Sequence, residues 1–414
     1  MKNIFKNNYV NSLLTKAFVV FLGILTTVII NRYLGPAGRG EYAYILNIVN
    51  ILVLLLNLGL YQSYPYYRKN IEEQAKSKYY NMFLIQFTVY FLIFVLIALI
   101  LESSLFLILS VLIPLMILST QLRFISLIEN INKRNFINVI NQLIYVLILL
   151  VVVTLFDANY IYILISILIK ELISILIYIK KFNYKFNLRL VDKKTFKTSI
   201  TVGIFPMFTS LLLSLNYKVD ILILELFVSF DEMGYYAVGV ALASQIWIIP
   251  DAFKDVIFSR VAKSDSILGI LLSIKINIYV SIIITLILIF SGKHLIVLLY
   301  GDEFIMAYEI LTLIFIGIFP MIFFKLINPL FNVKGLHKFS FYILLISVIF
   351  NIVLNFILIP LWGIHGAAIS SIFSYTLCGF IFVSKFLKEN NLHFKLLFIF
   401  TKDEIYKMKT IIKR

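Results

Sequence analysis

The strongest constraint on this chain is a train of about a dozen apolar runs, each close to the length of a membrane-spanning helix. They fall near 12–31, 42–64, 80–101, 104–126, 137–156, 159–179, 198–227, 234–253, 267–291, 306–331, 340–360 and 364–386. A helix needs about 20 apolar residues to cross the hydrocarbon core of a bilayer. Runs this long, rich in Ile and Leu, exceed strand length and exclude a β-barrel. The expected class is all-α: a polytopic membrane protein of about 12 transmembrane helices with no independent soluble domain. Composition agrees, with 61% hydrophobic and 14% charged residues, where a soluble domain carries roughly a quarter charged. The first run, from about Ser12 to Ile30, reads as a retained span and not a cleaved signal.

A net charge of +16 raises nucleic acid as a partner, but the placement of the charge argues against it. With the N-terminus inside, segments 1–16, 65–79, 123–136, 180–197, 254–266, 332–339 and 385–414 hold 30 of the 37 Lys and Arg residues. The outer loops hold Arg32, Arg39 and Lys293; Lys170, Lys218, Lys275 and Lys325 lie within spans. Basic residues concentrate in cytoplasmic loops, so both termini are expected in the cytoplasm of a bacterial cell, with the chain in the inner membrane. A single cysteine, Cys378, and four scattered histidines supply no disulfide, and no metal or cofactor is expected.

The basic 180–197 segment divides the spans into two sets of six: 1–197 and 198–387, followed by a basic tail, 388–414. Two even-numbered halves share one orientation, which predicts a parallel repeat. Gly40-Glu41-Tyr42-Ala43 opens span 2 as Gly234-Tyr235-Tyr236-Ala237 opens span 8, and the segment from Arg123 closes span 4 as that from Lys325 closes span 10. Outer loops are short. His294–Tyr300 reads as a small interfacial helix. Leu34–Gly40 reads as a turn, since it lacks the strand and Lys-Ser/Thr ending of a phosphate loop.

Polar side chains within hydrocarbon must face partners or water, and here they recur at helical spacing. Span 2 carries Asn47, Asn50, Asn57 and Tyr61; span 5 carries Asn135, Asn138, Asn141, Gln142 and Tyr145. Span 7 carries Ser210, Ser214 and Tyr217 beside Asn216 and Asp220, and span 11 carries Ser347, Asn351 and Asn355. Interhelical bonding is one reading. A shared hydrophilic cavity, with Asn50, Asn57, Asn351 and Asn355 binding substrate, is the other. Arg123 and Lys325, about two turns inside their spans, either snorkel or face one anionic group from opposite halves. Lys218 joins them as a candidate. Asp220, and Glu171 beside Lys170, are structural pairs or carriers of a coupling ion. Asp251, Lys254 and Asp255 read as a solvated cluster at the inner interface.

The segment Asn31-Arg32-Tyr33-Leu34-Gly35-Pro36-Ala37-Gly38-Arg39-Gly40-Glu41-Tyr42-Ala43 resembles the signature after the first span of O-antigen and polysaccharide flippases. These belong to the multidrug/oligosaccharidyl-lipid/polysaccharide (MOP) exporter superfamily. Leu298–Phe304, Lys334–Lys338 and Asn355–Ala368 are similar to that family's C-terminal half. The resemblance implies two six-helix bundles, as in MATE transporters, forming a V around a cavity that opens to alternate sides. It also implies a lipid-linked oligosaccharide substrate on undecaprenyl pyrophosphate, ion coupling, and contact with membrane lipid. A polysaccharide polymerase and glycosyltransferases of the same pathway are the implied partners. A drug or cation antiporter of the same superfold remains an alternative. So does a membrane polymerase, although that enzyme wants a large outer loop.

Overall fold

The computed structural model describes residues 2–70, 74–251 and 267–400. Lys254, Asp255 and most of the basic tail lie outside the described residues. The described chain is helical throughout: α1 (Lys2–Leu56), α2 (Tyr64–Asn70), α3 (Ala75–Leu101), α4 (Ser104–Glu129), α5 (Ile131–Leu155), α6 (Tyr160–Phe182), α7 (Lys193–Leu224), α8 (Phe230–Ser244), α9 (Ile267–Tyr300), α10 (Ala307–Val333) and α11 (His337–Glu389).

Ten of the described helices are long and apolar enough to cross a membrane. Two of these are double length, and each breaks at a glycine in the left-handed region. Gly35 (φ 64°) divides α1, and Gly363 (φ 53°) divides α11. A side chain strains this conformation, and a bilayer about 30 Å thick cannot hold an unbroken helix of 53 residues. Counting both arms of each gives the expected twelve. At Gly35 the helix that resumes has proline in its first turn, where a missing N–H breaks no bond. His294–Tyr300 differs from expectation: it is the last two turns of α9, which runs unbroken for 34 residues.

The chain divides into two compact units, Met1–Leu211 and Leu212–Arg414. The division falls inside α7. In the first unit, one core gathers Tyr64, Tyr79, Phe83, Leu122, Ile125 and Tyr178 near the loop ends of α3, α4 and α6. A second gathers Ile30, Tyr42, Leu112, Leu149 and Ile163 at the opposite ends. The first half of α7 is held there by a backbone crossing: a Cβ on Gly203 would sit 1.9 Å from the Gly59 carbonyl oxygen. Tyr79 ties the same region together, bonding Ser63 at 2.7 Å and Ser199 at 2.9 Å. The 180–197 segment is anchored as well. Asn81 donates to the Lys185 carbonyl at 3.1 Å and accepts from the Asn187 amide at 2.8 Å. Lys76 donates to the Phe182 carbonyl at 2.9 Å, where a cation complements the C-terminal end of α6.

In the second unit, α10 is largely buried and α11 supplies much of its cover, with Phe331, Phe382 and Phe386 at or below 1% exposure. Tyr42 and Ala43 are buried in the first unit, as are Tyr236 and Ala237 in the second. Outward-facing Ile100, Leu155 and Phe290 are at least 70% exposed, the surface expected of a protein surrounded by lipid.

Candidate functional site

In the first unit, charge within the spans converges on Glu171 of α6, which is 4% exposed. Lys170 lies 2.9 Å from its Oε1, and Arg123 of α4 lies 3.4 Å from its Oε2. Ser119, one turn before Arg123, donates its hydroxyl to the same Oε2. The Lys170 ammonium also stands 5.0 Å from the Tyr145 ring. This arrangement explains how two cations and a carboxylate persist inside spans: each charge has an opposite partner or a polarisable ring face. Arg123 is therefore a paired guanidinium with 38% of its side chain exposed, and the cluster retains one net positive charge.

The polar stripes of this unit mostly bind helices together. Asn141 donates to Ser174 at 2.7 Å, Tyr178 donates to Asn138 at 3.0 Å, and Gln142 donates to Thr26 at 3.4 Å. Span 5 thus uses its amides to dock on α6 and α1. Asn57 has a different task. Its amide donates to the Leu54 carbonyl at 2.8 Å and its Oδ1 accepts from the Gly59 amide at 2.7 Å. It closes the end of α1 and is fully buried. Asn50, one face earlier, remains half-buried.

In the second unit, the polar residues of α7, α8 and both arms of α11 meet in the interior. Asn216 accepts from Ser374 at 2.5 Å and from Ser347 at 3.2 Å. One turn further along α7, Asp220 is 1% exposed; its Oδ2 accepts from Ser371 at 2.7 Å and from the Tyr236 hydroxyl. Asn355 donates to Asn351 at 2.7 Å. Asn351 and Asn355 are fully buried, inside the unit and not on an open polar face. Four atoms here have no hydrogen-bond partner among the described residues: Asn216 Nδ2, Asp220 Oδ1, Asn351 Nδ2 and Asn355 Oδ1. Lys218, two residues from Asp220, is half-buried; side chains two apart on a helix do not share a face.

Lys325 of α10 is held elsewhere in the second unit. Its ammonium lies 2.9 and 3.1 Å from the two carboxylate oxygens of Asp251. It also lies 4.9 Å from the Trp247 ring and 5.7 Å from that of Tyr217. Tyr375 packs edge-on against both rings. Asp251, expected to be a solvated interface charge, is thus the partner of a membrane lysine. Its pairing with Lys325 and the part played by Trp247 did not stand out in the sequence, because each contact spans some 75 residues. The signal that existed was their position: an aromatic and an acid one turn apart at the C-terminal end of span 8, whereas Lys325 closes span 10.

A model of a family described as polysaccharide biosynthesis protein matches residues 5–250. No curated protein matches the sequence. Among solved structures, the fold is similar to that of a lipid II flippase, MurJ, in an inward closed conformation. That match has a TM-score of 0.74 and 17% identity over 93% of this chain and 88% of the other. An inward-facing multidrug resistance MATE family transporter of the MOP superfamily matches at a TM-score of 0.71 and 11% identity, over 92% and 98%. A MOP superfamily transporter from Pyrococcus furiosus matches at 0.67 and 11%, over 92% and 95%. With a family match over more than half its length, this chain belongs to the polysaccharide biosynthesis protein family, and nearly all of it shares the fold of these transporters.

Proposed function

We propose that this protein is a flippase that moves a lipid-linked oligosaccharide repeat unit, carried on undecaprenyl pyrophosphate, across the bacterial inner membrane by alternating access. The product would serve surface polysaccharide such as O-antigen, with a polymerase and glycosyltransferases acting on either side of the step. Both termini are cytoplasmic in this reading. The observation that carries it is a cation held within a span at matching repeat positions of a polysaccharide-biosynthesis transporter fold: Arg123 with Glu171, and Lys325 with Asp251. Cations at such depth are retained for a purpose other than stability. A pyrophosphate leaving water needs charge compensation, which Arg supplies as a planar fork and Lys as a point charge. Asn50 and Lys218 are polar contacts for the sugar or headgroup. Asn57, Asn351 and Asn355 support the walls from within.

Asp220 is the favoured carrier of a coupling ion. Its unpartnered Oδ1 and that of Asn355 are hard oxygen ligands of the kind a small cation takes. Glu171, already bonded to two cations, is the weaker candidate. An antiporter of drugs or cations is the second reading, favoured by the same buried Asp220 and by the MATE likeness. The test is complementation of surface polysaccharide in a deletion strain, normalised to protein in the membrane. The proposal expects the Arg123→Gln, Lys325→Gln double variant to lose export, with single Glu substitutions nearly as severe. Full export by the double variant would refute it, and drug resistance conferred by the wild type would favour the antiporter.

A further inference from the structure

The Lys325 site has a composition that plain anchoring of a lysine does not require. The side chain of Lys325 is only 11% exposed, whereas that of Asp251 is 50% exposed. The pair is closed on the lysine side and open on the acid side. Beneath the ammonium, Trp247 and Tyr217 form two walls, their ring centroids 4.8 Å apart. Tyr375 closes the base, 5.6 Å from Trp247 and 5.7 Å from Tyr217. Trp247 is itself secured, its indole N–H reaching the Ile318 carbonyl at 3.5 Å. The rings attract the ammonium through their faces and fix its position whatever anion lies above.

We propose that Asp251 is a built-in surrogate for the phosphoryl anion that this protein binds. It occupies Lys325 while the site is empty of ligand and swings toward solvent when a phosphoryl group takes its place. This rests on the reading of the substrate as a pyrophosphate-linked lipid. The chemistry is an exchange of one oxyanion for another on the same ammonium, with no bond made or broken. A half-exposed carboxylate is held weakly, because an exposed ion pair gains little in water. A multiply charged phosphoryl group with more acceptor oxygens displaces it. The arrangement prevents an uncompensated lysine from residing in the membrane between cycles. It also discriminates against monovalent anions, which gain nothing over Asp251 itself.

Tryptophan emission reads the exchange directly. The chain has two tryptophans, and Trp362→Phe leaves Trp247 as the sole reporter beside Lys325. The full chain, in phosphatidylcholine nanodiscs free of anionic lipid, is titrated with inorganic pyrophosphate and separately with chloride or acetate. A saturable change in Trp247 emission with pyrophosphate alone is expected. Asp251→Asn should tighten the apparent Kd by about two- to fivefold, the range an exposed ion pair yields as an equilibrium ratio. Asp251→Glu should resemble the wild type, and Lys325→Gln should abolish the response. An Asp251→Asn titration equal to or weaker than wild type overturns the surrogate, as does a response that survives Lys325→Gln. If Lys325→Gln does not fold, the comparison of Asp251→Asn with Asp251→Glu decides alone. Export in the deletion strain is scored separately. Normal export with an unaltered Asp251→Asn titration defeats this inference and leaves the flippase standing. Tightened binding in a protein that never restores polysaccharide does the reverse.

Discussion

Removing the charge of Glu171 is the most direct test of whether its cluster is structural or functional. Glu171→Gln keeps the side chain's size and an oxygen for the Ser119 hydroxyl, but leaves Lys170 and Arg123 without an anion. Breaking a buried ion pair by deleting one partner costs about 3–5 kcal/mol. Here the Arg123 contact is long, at 3.4 Å, and its side chain is 38% exposed; its share falls to the surface value, below about 1 kcal/mol. Lys170, at 2.9 Å and 20% exposed, carries the larger part. The expected loss is about 3 kcal/mol. It should be measured by reversible unfolding in mixed micelles, with Lys170→Met and the Lys170→Met, Glu171→Gln double variant completing a cycle. The double variant should recover to within about 1 kcal/mol of wild type, because it leaves only Arg123 without its anion, and that side chain is 38% exposed and so loses no more than a surface pair does. A Glu171→Gln loss below about 1 kcal/mol, or a double variant no better than the single, would refute the account. If stability holds while export vanishes, Glu171 is a coupling group after all.

Asp220→Asn should leave the protein folded, since Ser371 and Tyr236 can still donate to the amide oxygen. It should abolish the dependence of transport into proteoliposomes on a sodium or proton gradient, and unchanged dependence would remove Asp220 from the mechanism. Gly203→Ala places a methyl against the Gly59 carbonyl and should lower the yield of folded protein severalfold, whereas Gly23→Ala, with open space around it, should be silent in the same size-exclusion assay. With Cys378 replaced, cysteine at Asn50 should react with a hydrophilic thiol reagent and cysteine at Asn351 or Asn355 should not. A cysteine in 180–192 should react only from the cytoplasmic side, and periplasmic labelling there would overturn the topology.

Span number was legible in the sequence because it depends on a local property, apolar length; the turn read over Leu34–Gly40 was legible from its glycines and proline, but the structure narrows it to a single break at Gly35, with helix resuming at Pro36. Tyr42 and Tyr236, which the sequence match aligns, are both buried. Periodicity located the polar faces but not what they face. Asn141 and Gln142 share a stripe because α5 meets α6 and α1 along that line. Asn351 and Asn355 share one because α11 turns it toward the interior of its unit. Asn57 was open to a better reading: Asn-Leu-Gly at the end of an apolar run is a helix-stop signal, and its amide serves the turn at Gly59. The charge partners were the least accessible. Arg123 and Glu171 are 48 residues apart, Lys325 and Asp251 are 74 apart, and no spacing rule spans such distances. A mid-membrane lysine demands an anion on physical grounds, but only packing decides which one.

The placement of the unit boundary within α7 has a consequence for how the protein is made. A ribosome that has released α6 and the basic segment has not yet supplied everything the first unit needs. Gly203, Ser199 and the rest of 193–211 still have to arrive before Gly59, Ser63 and Tyr79 find their contacts. The same helix that completes the first unit is also the first element of the second. Assembly of the two is therefore sequential and interlocked. Co-expressed fragments cut near residue 190 would leave the N-terminal piece lacking a wall, whereas a cut in the loop after α7, between Leu226 and Ser229, would deliver it whole.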